Sequence, residues 1–515
     1  MPLRSLFVSS LCDAPHLKVV ARPWTTVTAD DDLISHLVSL WFTWHPPFIA
    51  WIDQDLFVRD MQSGNPAAPF CSKFLVNAIC AQACPYSQYP ESYARTGDRS
   101  TSGLHFLEEA KQELDRERGR VSLTTLQGLG ILYSVLCAAG KDRQGWVYFG
   151  QLARSYNEYL ASPEDCKLMA AIRCSTIAWQ RPPEVQLPKR PCIPAQHSAP
   201  GSSHLDWIPY PQQAPMATIH DSCYMEAHCR ASLILRDINM VLFPSPMRAW
   251  NDGRLAAVEQ HLAALHDWHG RLPDCLQFRA KATPPCNLSL HTIYYGAIIT
   301  VLGQARVALR SKQVTMTRTE QSFIDDSIRA AIRVSELAES LRTSWGAERM
   351  STNDAHVVML AMFALLDGTQ QEEEQRRAFE RLCRAALVAA RIWVLAKGQL
   401  RLLQLTARHM NVRLPPVVEG WLGEFERNVW TRDDVARYSS MYLNYALLVQ
   451  AEGASRGGLA MDALLRKSEV ETRMCGDSSS DRHTQGDTRF TAPKLGPGVG
   501  TGLQKGHPRK GGVRG

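Results

Sequence analysis

Apolar side chains recur at three- and four-residue spacing along most of this chain, the spacing that places them on one face of an α-helix. The first such segment follows the capping pattern Thr28-x-x-Asp31 and stops at Pro46-Pro47. Its apolar positions are Leu33, Leu37, Leu40, Trp41 and Trp44. The chain is therefore expected to open with a helix that buries one aromatic-rich face.

Further helices are predicted from the same spacing. Thr124-x-x-Gln127 opens one of them, and Gly140 is placed to stop it. In the helix over 104–114, the charged outer face is expected to hold Glu108, Glu109, Lys111, Gln112 and Glu113. The other predicted helices cover 74–84, 126–139, 224–243, 255–269, 288–310, 322–341, 355–366, 371–395 and 435–451. Because strand-like alternation is almost absent, we predict an all-α protein, a large multi-helical bundle.

Two segments depart from this pattern. Residues 181–216 contain nine prolines, which predicts an extended connector, and the aromatic residues of Trp207-Ile-Pro-Tyr-Pro211 are expected to anchor it. Residues 476–515 contain ten glycines and few large apolar side chains, so a disordered tail is predicted. The predicted organisation is a poorly defined segment over 1–28, a helical regulatory domain over 29–452 and a mostly disordered tail over 453–515.

Charge and cysteine content narrow the class of protein. The segment 476–515 has seven Lys or Arg and three Asp, so it carries +4 of the formal +6 and leaves +2 on the preceding 475 residues. A body this close to neutral has no basic surface for nucleic acid phosphates. The 14 cysteines show no regular framework, which favours buried thiols in a reducing compartment. No apolar run reaches the ~18 residues of a membrane span.

Candidate metal ligands do not form a convincing set. A zinc cluster needs Cys-x2-Cys pairs, and no two cysteines have that spacing. Cys80 and Cys84 share one helical face and are interpreted as packing residues. His261, His266 and His269 lie on one predicted helix without an adjacent carboxylate or cysteine, so solvated or partly buried histidines are the preferred interpretation.

Candidate catalytic groups are equally sparse. Asp30-Asp-Asp32 and Glu372-Glu-Glu374 stand at predicted helix starts, where negative charge is favoured. Asp325-Asp326 resembles half of an aspartate-rich metal motif, but the following residues supply no third carboxylate. The glycine-rich segment 496–502 is not flanked by a strand and a helix, so it is interpreted as a linker. We therefore predict no catalytic, cofactor-binding, metal-binding or DNA-binding residues in this chain, and no enzyme.

Several motifs in order resemble one known family. The chain is similar to the fungal-specific transcription factor domain in six segments. They are Trp24-Thr-Thr-Val-Thr28, His36–His45, Asp53–Phe57, Cys71–Ile79, Ser122–Gln127 and Gly140-Lys-Asp-Arg-Gln-Gly-Trp146. This domain, also called the xylanolytic transcriptional activator regulatory domain, occurs in fungal zinc-cluster transcription factors. The strongest resemblance covers 24–211, and a weaker one continues from Trp393 to Arg401.

The resemblance implies a nuclear regulator of transcription by RNA polymerase II, in which a helical domain restrains or relays a signal. The family reads DNA through an N-terminal six-cysteine zinc cluster, which this sequence does not contain. DNA contact is therefore expected through a module absent from the chain. The expected partners are the transcriptional machinery, regulatory proteins and a small-molecule inducer, and a homodimer is possible within the family. Two alternatives stay open: a non-catalytic helical interaction or cofactor protein derived from such a factor, and a helical metal-dependent enzyme.

Overall fold

The structure of the chain is a computed structural model that describes residues 14–45, 52–159, 205–211, 216–242, 252–279, 283–310, 318–369, 371–431, 433–442 and 460–468. All of these lie in one compact unit, 1–469. The predicted tail over 476–515 and the segment 181–204 lie outside the described residues. The domain boundaries given above stay predictions.

The described chain is almost entirely helical, which confirms the predicted fold class. In the N-terminal half the helices are α1 Asp31–Trp44, α2 Gln54–Ser63, α3 Lys73–Ala83, α4 Leu104–Arg116, α5 Leu123–Ala138 and α6 Asp142–Tyr159. The helices that follow are α7 Asp221–Leu242, α8 Asp252–Gly270, α9 Pro285–Arg310, α10 Arg318–Ser344, α11 Thr352–Leu365, α12 Glu373–Ile392, α13 Val394–His409, α14 Pro416–Asn428 and α15 Asp434–Arg437. A further helical stretch covers 461–468.

Short elements complete the path of the chain. Two three-residue strands, β1 Leu205–Trp207 and β2 Ala217–Ile219, pair antiparallel, with Asp206 opposite Thr218. The 3₁₀ turns are Cys84–Tyr86, Pro90–Ser92, Arg99–Thr101, Asp274–Leu276, Ala347–Arg349 and Leu366–Gly368. β1 lies at the end of the predicted extended connector, in agreement with its proline content.

Helix caps explain where the first helices begin. The α1 cap is Asp30, whose carboxylate accepts from the Leu33 amide, so the predicted Thr28-x-x-Asp31 pattern was wrong by two residues. Ser122 caps α5 reciprocally with Thr125, rather than Thr124 with Gln127. In both cases a small polar side chain satisfies an amide of the first turn, as expected for a helix start.

Two hydrophobic clusters fill the described part. The N-terminal cluster lies between positions 19 and 152 and is built from α1 to α6 and the segment before them. The C-terminal cluster covers α7 to the end of the described chain. Four residues of the first half, Leu40, Trp44, Tyr86 and Ala138, pack with the C-terminal cluster instead. These four mark the junction at which the two clusters meet.

Three sequence predictions about helices were wrong. Glu109 and Glu113 are buried rather than on the outer face of α4. The predicted helix 371–395 is two helices, because Trp393 adopts an extended conformation between α12 and α13. Within the predicted helix over 435–451, the described residues 438–442 are not helical, since Tyr438 is extended. In each case a tertiary contact overrides the local pattern.

Candidate regulatory junction between the two hydrophobic clusters

The motif Trp24-Thr-Thr26 holds the N-terminal cluster together, because three consecutive residues bind three different helices. The Trp24 indole N–H donates to the Met61 carbonyl of α2 at 2.7 Å. The Thr25 hydroxyl donates to Asn77 of α3 at 2.8 Å.

Thr26 supplies the third bond of this motif. Its amide and hydroxyl both donate to the Glu109 carboxylate of α4, at 2.6 and 2.8 Å. This pairing explains why Glu109 is buried, since a buried carboxylate needs hydrogen-bond donors.

An aromatic seam joins the two clusters at α1. We give this name to Trp44, Trp207, Trp345, Tyr86 and Trp393. The Trp207 ring stands edge-on to both Trp44 and Trp345, with centroids 5.4 and 5.1 Å apart, and Tyr86 stands edge-on to Trp393 at 5.3 Å. Edge-to-face packing of this kind is favoured by the aromatic quadrupole. The seam therefore links residues that are about three hundred positions apart in sequence.

Polar contacts fix the connector against α1. The Trp44 indole N–H donates to the Tyr210 carbonyl at 2.6 Å. One ring nitrogen of His36 lies 2.7 Å from the Tyr210 hydroxyl, the other lies 3.1 Å from Ser87 Oγ, and the ring stacks on Tyr89. The expectation that aromatic residues anchor the connector is thus confirmed for Trp207 and Tyr210.

A second set of contacts, the clasp, joins the start of α6 to the segment 438–441. Gly140 has φ +68°, and its carbonyl accepts from the Ser439 amide at 2.9 Å. The Arg143 amide donates back to the Ser439 carbonyl at 3.2 Å. A Cβ on Gly140 would lie 2.6 Å from the Tyr438 ring, and a Cβ on Gly398 of α13 would also lie 2.6 Å from it. Two glycines therefore allow one tyrosine ring to pack between α5 and α13.

Charged groups complete the clasp. The Met441 amide donates to one oxygen of the Asp142 carboxylate at 2.8 Å. Burial raises the pKa of the Asp142 carboxyl to about 6, although Ser440, Met441 and Arg143 favour its charged form. Arg143 also forms an ion pair with Asp462, at 3.2 Å.

Only one side of the clasp can be recognised from the sequence. Gly140, Asp142 and Arg143 belong to the motif Gly140–Trp146, whereas Tyr438, Ser439 and Met441 carry no recognisable signal. A glycine at an otherwise helical position, such as Gly398, was the one available indication that another group approaches closely.

The candidate metal ligands do not converge. Cys80 and Cys84 are fully buried in the N-terminal cluster, and burial raises the pKa of both thiols. His266 contacts the Tyr294 hydroxyl at 2.7 Å, and His269 pairs with His291 at 2.8 Å. In the described ranges no three His, Cys, Asp or Glu side chains are arranged to hold a metal ion.

The candidate carboxylates bind residues close to them in sequence, most of them in their own helices. Asp325 is exposed and accepts from Gln321, and Asp326 forms an ion pair with Arg329. Near the start of α12, Glu373 pairs with Arg376 and Arg377, as expected for a solvated helix start. Asp30 and Asp31 accept from the amides of Leu33 and Ala21. Among the described residues, Asp325 and Asp326 therefore pair within their own helix rather than with another acidic group.

The described chain is thus a helical protein in which packing and hydrogen bonds connect two hydrophobic clusters. None of the helices in the part of the chain with described coordinates is long and apolar enough to cross a membrane. No family model and no solved structure matches the chain.

Comparison with known proteins gives the family. The chain is 35% identical over 436 residues to the notoamide biosynthesis transcriptional activator notL' of Aspergillus versicolor, covering 78% of this chain and 68% of the relative. It is 25% identical over 420 residues to the nitrogen assimilation transcription factor nirA of Emericella nidulans, covering 76% and 46%. To nit-4 of Neurospora crassa, another nitrogen assimilation transcription factor, it is 37% identical over 138 residues, 25% of this chain and 13% of the relative.

The chain belongs to the family of fungal transcription factors of the zinc-cluster type, and it is a transcription regulator. It spans about two thirds of the length of notL' and less than half of the length of nirA.

Proposed function

We propose that this chain is the regulatory region of a fungal transcription activator that acts in the nucleus, and not an enzyme. The alignment with a transcriptional activator over 436 residues carries this proposal. The motifs that resemble the fungal-specific transcription factor domain support the finer assignment, because they form the contacts of the N-terminal cluster and of the junction. DNA is contacted through a six-cysteine zinc cluster, a pattern that the 515 residues do not contain.

The junction gives the regulatory role a physical basis. A signal can change the activity of such a protein only if it favours one packing arrangement over another. The seam and the clasp are the contacts through which a change in one cluster is transmitted to the other. A regulator or a small ligand that binds one cluster therefore acts on the whole region through these contacts.

The regulatory role is tested by fusing the chain to an unrelated site-specific DNA-binding domain and measuring reporter transcription in a fungal host. Trp207→Ala removes the central ring of the seam, so we expect at least a threefold change in output at equal protein level. The matched control is Val417→Ala, since Val417 is an exposed apolar side chain on α14. A fusion without transcriptional output, or one whose output is unaffected by Trp207→Ala, would contradict the proposal.

The DNA-binding assignment has a separate test. The unfused chain should bind duplex DNA weakly and without sequence preference, because its body carries little net positive charge. Titration of labelled duplexes at increasing salt measures this. A site-specific complex of the unfused chain that survives ~200 mM salt would show that it contains its own DNA reader.

A further inference from the structure

A small polar pocket lies beside the aromatic seam, at the junction of the two clusters. Its volume is about 80 Å³. Tyr86, Arg99 and Ser102 line it from the N-terminal half, and Glu348, Arg349 and Arg391 line it from the C-terminal half. Both halves of the described chain therefore contribute polar side chains to the same partly open pocket.

Arg349 is the most unusual of these side chains. It is 9% exposed, and its guanidinium stands over the Trp44 ring with 4.9 Å between the carbon and the ring centroid. Within the described chain it makes no side-chain hydrogen bond and no ion pair. Burial lowers the pKa of Arg349, although Glu348 and Tyr86 oppose this shift. A buried cation without a hydrogen-bonded anion is costly, so Arg349 would gain from a negative partner in the pocket.

Two hydroxyl groups of the pocket also have no partner. Tyr86 Oη and Ser102 Oγ are buried and make no hydrogen bond among the described residues. Burial raises the pKa of the Tyr86 hydroxyl, and the Asp354 carboxylate adds to this shift, so the hydroxyl keeps its proton and remains a donor. Asp354 itself accepts from Ser289 and Ser351 rather than from the tyrosine.

We propose that this pocket binds a small oxyanion, held by the Arg349 guanidinium, the Tyr86 and Ser102 hydroxyls and the rim arginines Arg99 and Arg391. The donors match the acceptor-only chemistry of a mineral oxyanion or a short carboxylate. Three arginines face one carboxylate of the lining, Glu348, so the pocket has a positive balance.

The size of the pocket limits the ligand. A volume of about 80 Å³ corresponds to a few water-sized positions at ~10–15 Å³ each. Pockets for drug-sized ligands are usually about 300–1,000 Å³. A four- or five-atom anion fits with one or two remaining waters, whereas a large metabolite does not.

A wider cleft of about 540 Å³ adjoins the pocket and shares Glu348 and Arg391 with it. Two of its arginines already have partners: Arg342 pairs with Glu339 at 2.7 Å, and Arg384 stands over the Trp421 ring at 5.9 Å. This cleft therefore offers less uncompensated positive charge than the small pocket, and it supplies a control arginine.

An anion in the pocket would contact residues of both halves of the chain at once. It would compensate the buried charge of Arg349, and because it binds the folded arrangement it would stabilise the packing of the seam described above. In this respect the inference rests on the proposed regulatory function, but anion binding itself does not depend on it.

The test uses the purified full chain and follows its thermal unfolding midpoint in sodium sulfate, phosphate, nitrate or acetate, at ionic strength held constant with sodium chloride. At least one anion should raise the midpoint saturably, with calorimetric binding of one anion per chain. Acetate alone would identify a carboxylate ligand, and any of the other three a mineral oxyanion.

Variants locate the binding. Tyr86→Phe removes a hydroxyl that has no partner among the described residues, so the fold should be unaffected while affinity falls about tenfold or more. Arg391→Gln should weaken binding in the same direction, and Arg384→Gln in the wider cleft should leave it unchanged.

The proposal is overturned if no anion binds saturably, or if Tyr86→Phe and Arg391→Gln bind like the unmodified chain. Equal weakening by Arg384→Gln would also overturn it. If no anion binds while Trp207→Ala still changes reporter output, the pocket fails and the regulatory function stands.

Discussion

The aromatic seam and the clasp join the same two hydrophobic clusters, but by different kinds of contact. The seam consists mostly of rings packed edge-on, with a buried cation over Trp44 and a polar pocket beside it. The clasp consists of backbone hydrogen bonds between Gly140, Arg143 and Ser439, with the Tyr438 ring held against two glycines. Backbone bonds allow one register, whereas ring contacts can adjust by small shifts. We infer that the clasp fixes the alignment of the clusters and that the seam is where alternative packings arise.

The largest expected effect comes from truncating the seam. Trp44→Ala removes a buried indole that packs on Trp207 and lies under Arg349, and it leaves the Tyr210 carbonyl without its donor. We expect the free energy of unfolding to fall by about 3–5 kcal/mol. Urea denaturation measures the change.

Trp44→Phe is the matched control, because it keeps a ring but loses the N–H donor. Its cost should be about 1–3 kcal/mol, the cost of an unsatisfied buried carbonyl. Equal costs for the two variants would mean that the hydrogen bond to Tyr210, rather than ring packing, holds the seam.

A pH effect of the next size is expected at the clasp. The pKa of Asp142 is raised from 3.8 to about 6 in the folded chain, so between these values the folded state holds a proton that the unfolded state has lost. The contribution of Asp142 to the free energy of unfolding is therefore fully present below pH ~4 and is lost as pH rises through ~6. At 1.36 kcal/mol per pKa unit, the loss amounts to roughly 3 kcal/mol at most. Asp142→Asn should remove this part of the pH profile of unfolding.

Neighbouring groups do not reverse this sign. Arg143 is the charged side chain that lowers the pKa of Asp142, and burial keeps the pKa values of Cys137 and Tyr133 well above neutrality, so both are uncharged. Asp115→Asn on the exposed end of α4 is the control and should leave the profile unchanged. If Asp142→Asn keeps the wild-type profile between pH 4 and 7, the carboxyl is not proton-linked to folding.

A smaller effect tests how tightly the clasp is packed. Gly→Ala inside a helix normally stabilises by about 0.5–1 kcal/mol. At Gly398 the new Cβ would lie 2.6 Å from the Tyr438 ring, so we expect Gly398→Ala to destabilise by about 1–3 kcal/mol. Gly420→Ala on α14 is the control, since nothing lies within 4 Å of its Cβ position, and it should stabilise.

The double variant Gly398→Ala with Tyr438→Leu separates packing from helix propensity. Removal of the ring should relieve the clash, so the alanine should then cost less than it does beside Tyr438. Stabilisation by Gly398→Ala alone would show that the Tyr438 ring can move away, and that the clasp is no more rigid than the seam.

The difference between seam and clasp also separates what the sequence could predict from what it could not. Periodicity located most helices, and the aromatic residues of the connector were correctly expected to be anchors at Trp207 and Tyr210. Both are signals that a side chain is buried, and burial is encoded locally. The identity of the partner is not encoded locally, because Asp142 and Met441 are brought together only by the path of the whole chain.

The wrong predictions have the same cause. The sequence pattern places Glu109 on the outer face of a helix, but in the fold it binds Thr26. The pattern also predicts a helix over residues 438–441, but in the fold this segment binds the start of α6. A charged residue on a helical pattern is normally solvated. At Glu109 the amide and the hydroxyl of Thr26 supply two donors, and these allow the carboxylate to be buried. Such donors from a distant segment cannot be recognised from the spacing of apolar residues.

The smallest expected effect concerns the ion pair at the edge of the clasp. Arg143 is partly exposed, and Asp462 has a second partner, Arg466, at 3.4 Å. Arg143→Gln should therefore cost less than about 1 kcal/mol, and the cost should shrink further at high salt. Arg230→Gln, which breaks a surface pair with Glu226 far from the junction in sequence, should have a similarly small effect. Screened surface ion pairs do not contribute as much as ~2 kcal/mol. A larger loss for Arg143→Gln alone would therefore mean that charge pairing, rather than backbone hydrogen bonds and the Tyr438 ring, stabilises the clasp.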